Sequence, residues 1–397
     1  MRKLLSTIFF IFLLSCKDIE NNQNIINIVV DKNENINFSD LFNEYKFIFP
    51  ESKDPGWIGI TILKIEIIND NIFLLNQTQT GNNILCFDSK GRFKFTINKI
   101  GQGPGEYNFL NDFFIDKHLN LLVLDVVGNQ FGFREYIYYD YNGSYLCSKS
   151  RQVIKGTPKS MIVFNDSLYV CNVSCSHKDN CTDIIFFNKH NLDVFMSFNC
   201  VDKYTDIHTP KQSLCNTSES LLFYGGNDII YIFSEEQNAM IPAYFVDFGS
   251  KQKSYKKNIV GKTYNEIMDM HRQSFMNKEI RIVDHFFAND KFFAINYSEN
   301  KNVDKKYDLC YKTVFFDKET KQIFNTNNIY FDIFNFVKNE GMEIIGCYDG
   351  FFYSLLNTPF TKDEIKEIVK SEFLSDDIKL SFLKLNEESN PVIFIFK

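Results

Sequence analysis

Leu85-Cys86-Phe87-Asp88-Ser89-Lys90-Gly91 is an apolar run that ends in an aspartate and passes through two polar residues to a glycine. The pattern returns as Ile137-Tyr138-Tyr139-Asp140-Tyr141-Asn142-Gly143 and as Ile185-Phe186-Phe187-Asn188-Lys189-His190-Asn191. Looser copies are Tyr231 to Glu236, Val314 to Glu319 and Phe382 to Glu387. The Asp or Asn can open a tight turn by bonding its own backbone, and a following Gly or Asn accepts positive φ. Each copy therefore reads as a β-hairpin. Each also has an apolar strand upstream: Ile72 to Leu75, Leu121 to Asp125, Leu168 to Cys171, Leu221 to Tyr224, Phe292 to Ile295 and Phe351 to Leu355.

Six like units point to radial repetition, and the first three hairpins start about 50 residues apart, close to the spacing of four-stranded propeller blades. The expected fold is all-β: a six-bladed β-propeller with two helical insertions, against the alternative of a β-sandwich with insertions. Later spacings stretch, and the insertions account for it. Lys253 to Lys278 carries a patchy helical face, and Thr361 to Phe373 follows Pro359 with Thr361 and Glu364 spaced as a capping box. A ring must also close. Tyr45 to Phe49 and Pro391 to Phe396 are both strand-like, and pairing them in one blade would bury two open edges.

Composition agrees. The chain holds 43 Phe and 20 Tyr among 397 residues, types that favour strands. No Pro/Gly/Ser-rich linker interrupts it, so one repeated domain explains the length better than several domains.

The N-terminus carries an address. Arg2 and Lys3 precede the uncharged run Leu4 to Leu14, and Leu13-Leu14-Ser15-Cys16 follows. That is a secretory signal, too short to span a bilayer. Residues 1–15 are the expected signal peptide, 16–35 a lipidated polar tether and 36–397 the propeller domain. Losing Arg2 and Lys3 takes the net charge from −7 to −9, and no basic stripe offsets it, which argues against nucleic acid. Nine of the ten cysteines follow Cys16. An odd number leaves at least one free or paired between chains. Around His177, Cys171, Cys175 and Cys181 are compatible with a local disulfide or with buried or loop thiols, and their spacing is looser than a zinc site wants.

Leu13 to Cys16 resembles the lipobox of bacterial lipoproteins, which implies cleavage before Cys16 and acylation of that residue. Lys17-Asp18-Ile19-Glu20 resembles the export signal of surface lipoproteins, with a solvated tether facing the periplasm as the alternative. Three further stretches resemble the six-bladed β-propeller lipoproteins of Gram-negative bacteria, with folds like the TolB and NHL propellers. They are Ile100-Gly101-Gln102-Gly103-Pro104-Gly105-Glu106-Tyr107 with Asp112 to Asp116, Asn227 to Tyr231 continuing to Pro242 to Gly249, and the terminal Asn390 to Lys397. The resemblance implies a fold and an outer-membrane address. It supplies no catalytic residues.

Familiar site signatures fail. Gly261-Lys262-Thr263 lacks the glycine that a phosphate loop needs at Lys256, and the Gly101, Gly103, Gly105 run lacks dinucleotide spacing and reads as a tight turn between blades. Asp31, Asn33 and Asn35 begin like a calcium loop, but Ile36 and Phe42 stand where it needs Gly and Glu. Ligand candidates are Glu106, Tyr107, Asp112 and Asp125, beside the best-patterned blades. Each also has a purely structural reading: the aspartates can cap turns, and Glu106 and Tyr107 can lock the glycine turn. Two functions follow. One is a non-catalytic binding or scaffold module with no cofactor, presented on the outer membrane to a glycan, peptide or partner protein. The other is a Ca²⁺-dependent hydrolase or lyase of the lactonase kind, resting on fold analogy. Carboxylates converging from three or more blades would favour the enzyme, and a channel lined by Phe, Tyr and Asn would favour binding.

Overall fold

The computed structural model describes residues 25–31, 35–127, 134–150, 157–174, 183–200, 210–259, 262, 264–300, 309–334 and 342–397. Cys16, Cys175, His177 and Cys181 lie outside them; Cys171 is buried between the second and third blades.

Six antiparallel sheets form the ring. From the channel outward, blade 1 is Thr61–Ile68, Asn71–Thr78, Gly81–Asp88 and Phe93–Ile97, and blade 2 is Phe109–Asp116, Leu121–Val127, Arg134–Tyr139 and Tyr145–Ser150. Blade 3 is Thr157–Val163, Leu168–Ser174, Ile184–Asn188 and Val194–Phe198, and blade 4 is Leu214–Asn216, Leu221–Tyr224, Ile229–Ser234 and Ala239–Asp247. Blade 5 is Ile282–Ala288, Phe292–Asn300, Leu309–Asp317 and Ile323–Asn325. Blade 6 takes Ile344–Tyr348, Phe351–Leu356 and Val392–Phe396 from the end of the chain and Tyr45–Ile48 from near its start. The six upstream strands of the repeat are the second strand of each blade. The expected ring closure is present, with Phe47 opposite Phe394 and Tyr45 opposite Phe396.

Both helical insertions are present, and two other expectations need correction. Phe382 to Glu387 is not a hairpin: the helix Asp376–Leu383 ends there, and the third strand of blade 6 comes later, at Val392–Phe396. The capping box stands, with Thr361 and Glu364 bonding reciprocally ahead of the helix Lys362–Lys370, but a second helix follows it. The 253–278 insertion is likewise two helices, Ser250–Asn258 and Tyr264–Met276. Finally, Ile26–Val29, inside the stretch assigned to the tether, is a strand. It adds in parallel to Ala239–Asp247 and makes blade 4 five-stranded. Its alternating Ile26, Ile28 and Val30 bury Ile28 and Val30.

The hydrophobic core is not central. It divides into wedges, one between each pair of neighbouring blades. The wedge between blades 5 and 6 is the most aromatic. Phe38, from the short helix Phe38–Leu41, packs against Phe42, Phe331, Phe394 and Phe396 at centroid distances of 4.9–5.4 Å. The N-terminal segment thus pins blade 4, the 5/6 wedge and blade 6 in one pass. Phe38→Ala should cost about 3–5 kcal/mol, read as a lower urea midpoint at unchanged m-value.

Candidate functional site in the propeller channel

The innermost strands share a local irregularity. Five of them shift register near their start, at Ile62/Lys64, Leu110/Asp112, Pro158/Ser160, Val283/His285 and Ile344/Gly346. A bulge leaves backbone groups unpaired, and side chains on the second strand satisfy several of them. Asn172 Oδ1 accepts from the Ser160 N–H at 2.9 Å and its hydroxyl at 2.7 Å. Asn296 reaches across to blade 6, donating to Ile344 O at 2.6 Å. In blade 2 the bulged residue Asn111 donates to Asp125 Oδ2 at 2.9 Å.

Asp125 is therefore held in a bulge, and Arg134 Nη1 pairs with it at 2.9 Å. Asp112 is its register partner across the strands. It takes the Phe113 N–H at 2.8 Å and pairs with Lys64 of blade 1 at 3.4 Å. Burial pushes the Asp112 carboxyl up to about 6 although Lys64 and that N–H pull it down. Burial works against the Lys64 ammonium too, but Asp112 and Glu66 more than offset it and its pKa is raised. Glu106 and Tyr107 sit elsewhere, in the connection from blade 1 to blade 2. Glu106 Oε2 accepts from the Gly103 N–H at 2.6 Å, and Tyr107, fully buried, takes the Lys99 N–H on its hydroxyl at 3.4 Å. A Cβ on Gly101 would collide with the Glu106 carboxylate. So the structure joins Asp112 to Asp125, places Glu106 and Tyr107 in the predicted inter-blade turn, and gives all four structural partners.

Where the first and second strands of each blade meet, a cavity of about 690 Å³ opens on the channel axis. All six blades line it: Lys64 and Glu66; Phe114, Lys117 and His118; Phe164, Asn165 and Asp166; Gln212, Cys215 and Asn216; Phe287 and Ala288; Cys347 and Tyr348. None of the four sequence candidates does. Lys64 bridges Glu66 at 3.0 Å and donates to Phe113 O at 2.6 Å, and His118 meets Asp166 at 2.6 Å across blades 2 and 3. Burial raises both thiols, Cys215 to about 12 and Cys347 well above the usual thiol value, so both stay protonated and donate, to Phe286 O at 3.2 Å and Ala288 O at 3.4 Å. Among the described residues no three His, Cys, Asp or Glu side chains come close enough together to hold a metal ion. The carboxylate convergence that the calcium enzyme requires is not found there.

These lining residues were missed because the sequence repeat is anchored on the hairpin of the third and fourth strands, with the second strand upstream of it, while the channel is lined by the first strand and the turn after it. Bulges break the alternation of that strand. Counting one hairpin upstream of each repeat would have found it.

A domain model matches residues 23–397. The chain belongs to the DUF4934 family, a domain of unknown function. No curated protein sequence matches this DUF4934 chain. Its fold is similar to that of a predicted exported protein of Bacteroides fragilis, at TM-score 0.66 and 16% identity over 94% of this chain and 99% of the other. A DUF4221 protein from Bacteroides vulgatus aligns over 89% and 98% at TM-score 0.46 and 10% identity.

Beside the cavity mouth, the buried Asp116 joins blades 2 and 3, pairing with Lys189 of the next blade at 2.9 Å and accepting from Tyr169 Oη at 3.0 Å. Asp116→Ala should cost about 3–5 kcal/mol by stranding the ammonium, whereas Asp116→Leu with Lys189→Met should recover only the part due to the charge, because the Tyr169 hydroxyl and the His118 and Leu119 N–H groups still lose their acceptor; thermal melts of both decide this. A second expectation concerns acid. Burial lowers His271 and His285 to about 4, below the unfolded value of about 6.5. Between those values only the unfolded chain takes up these protons, so their contribution to stability is full above pH 6.5 and lost as pH falls towards 4. Asp112, raised to about 6, acts oppositely over pH 4–6. His285→Gln should flatten the acid limb of a midpoint-against-pH curve; an unchanged limb would refute its share.

Proposed function

We propose that the chain is an exported, lipid-anchored propeller of the outer membrane that binds a ligand in its channel without catalysis. The observation that carries the binding reading is the cavity itself: six blades contribute to one space of about 690 Å³, a volume usual for ligand sites. Within its charged lining Lys64 pairs with Glu66 and His118 with Asp166. Phe164, Tyr348, Asn165 and Asn216 supply the aromatic and amide lining that favours binding over metal chemistry. The address rests on the signal run, Leu13-Leu14-Ser15-Cys16 and the polar start after it, and the likeness to a predicted exported protein supports it. The cell surface is the proposed face.

Two measurements test this. Cys16→Ser should abolish palmitate labelling and move the protein from the detergent phase to the aqueous phase; a variant that still labels removes the anchor. Residues 17–397 should melt at the same temperature with EDTA and with added Ca²⁺, because a bound metal would stabilise only the folded state. A calcium-restored midpoint would establish a bound metal and turn the test to lactone and ester hydrolysis, where turnover would overturn the non-catalytic reading.

A further inference from the structure

We propose that the channel cavity recognises a neutral oligosaccharide segment, by amide hydrogen bonds and stacking on Tyr348. This deepens the channel-binding reading and rests on it. Three observations select this ligand class.

The first is charge. The ionisable lining groups are Lys64 and Lys117 against Glu66 and Asp166, with His118 beside Asp166. Two cations face two anions. Lys64 is further committed to Asp112 and to Phe113 O. A ligand charge directed at Lys64, Glu66, His118 or Asp166 would have to displace one of these pairs, and a neutral ligand would not; Lys117 lies outside the pairs, and trigalacturonate tests whether an anion uses it.

The second is backbone. An extended peptide gains affinity by pairing with a free strand edge, and the innermost strands turn such edges to the channel. On blades 2 and 5 side chains and neighbouring backbone already take them. Lys64 holds Phe113 O, Glu66 accepts the Ile115 N–H, Gln212 O accepts the Phe286 N–H, and Cys215 and Cys347 hold Phe286 O and Ala288 O. A peptide would find little main chain to pair with there. A sugar hydroxyl needs only side-chain partners.

The third is preorganisation. Each lining amide is anchored through one of its polar atoms. Asn165 accepts from the Ser167 and Leu168 N–H groups through Oδ1, which leaves its NH₂ as a donor. Asn216 donates to Val163 O and Phe164 O, and Gln212 donates to Leu214 O, which leaves two carbonyl oxygens as acceptors. Fixed planar amides give directional bonds to hydroxyls at little entropic cost. The Tyr348 ring, half-buried beside Glu66, offers the apolar face that a pyranose ring stacks on.

The test is calorimetric titration of residues 17–397 with neutral trisaccharides of glucose, xylose, mannose and N-acetylglucosamine, beside trigalacturonate and trialanine. At least one neutral trisaccharide should bind. Tyr348→Ala should weaken it about ten-fold, Gln212→Ala should weaken it as well, and Tyr348→Phe, which keeps the ring, should stay within about two-fold. The Phe variant also controls for folding. If trigalacturonate or trialanine binds instead and Tyr348→Ala weakens it, the channel reading stands and the neutral-sugar proposal falls. If a trisaccharide binds but no variant changes its affinity, the site lies outside the channel and both fall. If no neutral trisaccharide binds at millimolar concentration, the proposal is overturned.

Discussion

The fold depends on the packing of one blade face against the next. A four-stranded blade exposes two faces, and each is covered mainly by a neighbouring blade. The result is six separate wedges of core rather than one. Each wedge is needed, because removing one opens the ring and leaves two blade faces wet. That explains why aromatic residues dominate. The gap between twisted sheets widens outward, and Phe and Tyr fill it with large area and few rotamers. It also explains where the N-terminal segment runs. Phe38 and Phe42 enter the wedge between blades 5 and 6, next to the blade that the two ends of the chain complete together.

Much of this was legible because strand and turn chemistry are local. Asp88, Asp140 and Asn188 each bond the backbone two residues on, in the turn position read from sequence, and Gly91 and Gly143 take positive φ beside the first two. The closing strand was legible for a different reason: an open ring leaves an unpaired edge, and only one terminal segment pair had strand character on both sides. What escaped notice was tertiary. Phe382 and Leu385 look like a strand because apolar residues crowd there, yet Phe382 is buried from a helix against Phe47, Phe49 and Phe360. Ile26 to Val30 looked like tether because asparagines surround it, and its strand forms only by adding to blade 4.

The candidate site was less legible, and the reason is physical. Acidic residues draw attention in a sequence, but inside a propeller a carboxylate is as useful for holding a bulge or joining two blades as for meeting a ligand. Asp125 does the first and Asp116 the second. Asp112, buried and raised towards 6, is tolerated because Lys64 of the neighbouring blade faces it. These groups are expensive to bury, and the expense is offset by partners that the sequence places 48 and 73 positions away. No local pattern announces such pairs.

The channel, in turn, owes its character to how the strand edges are satisfied. An inner strand facing an axial space has N–H and C=O groups with no sheet partner on that side, and a buried unsatisfied group costs about 1–3 kcal/mol. Filling the axis with apolar side chains would leave those groups unpaired. Filling it with water alone would leave the inner edges as templates for any passing strand. This chain does neither. Lys64, Cys215 and Cys347 turn back onto the backbone of the neighbouring blade. Where edges are used up this way, on blades 2 and 5, what the cavity can recognise is decided by the remaining side-chain atoms rather than by the fold. A few substitutions on the innermost strands could therefore change the ligand while every blade stayed in place.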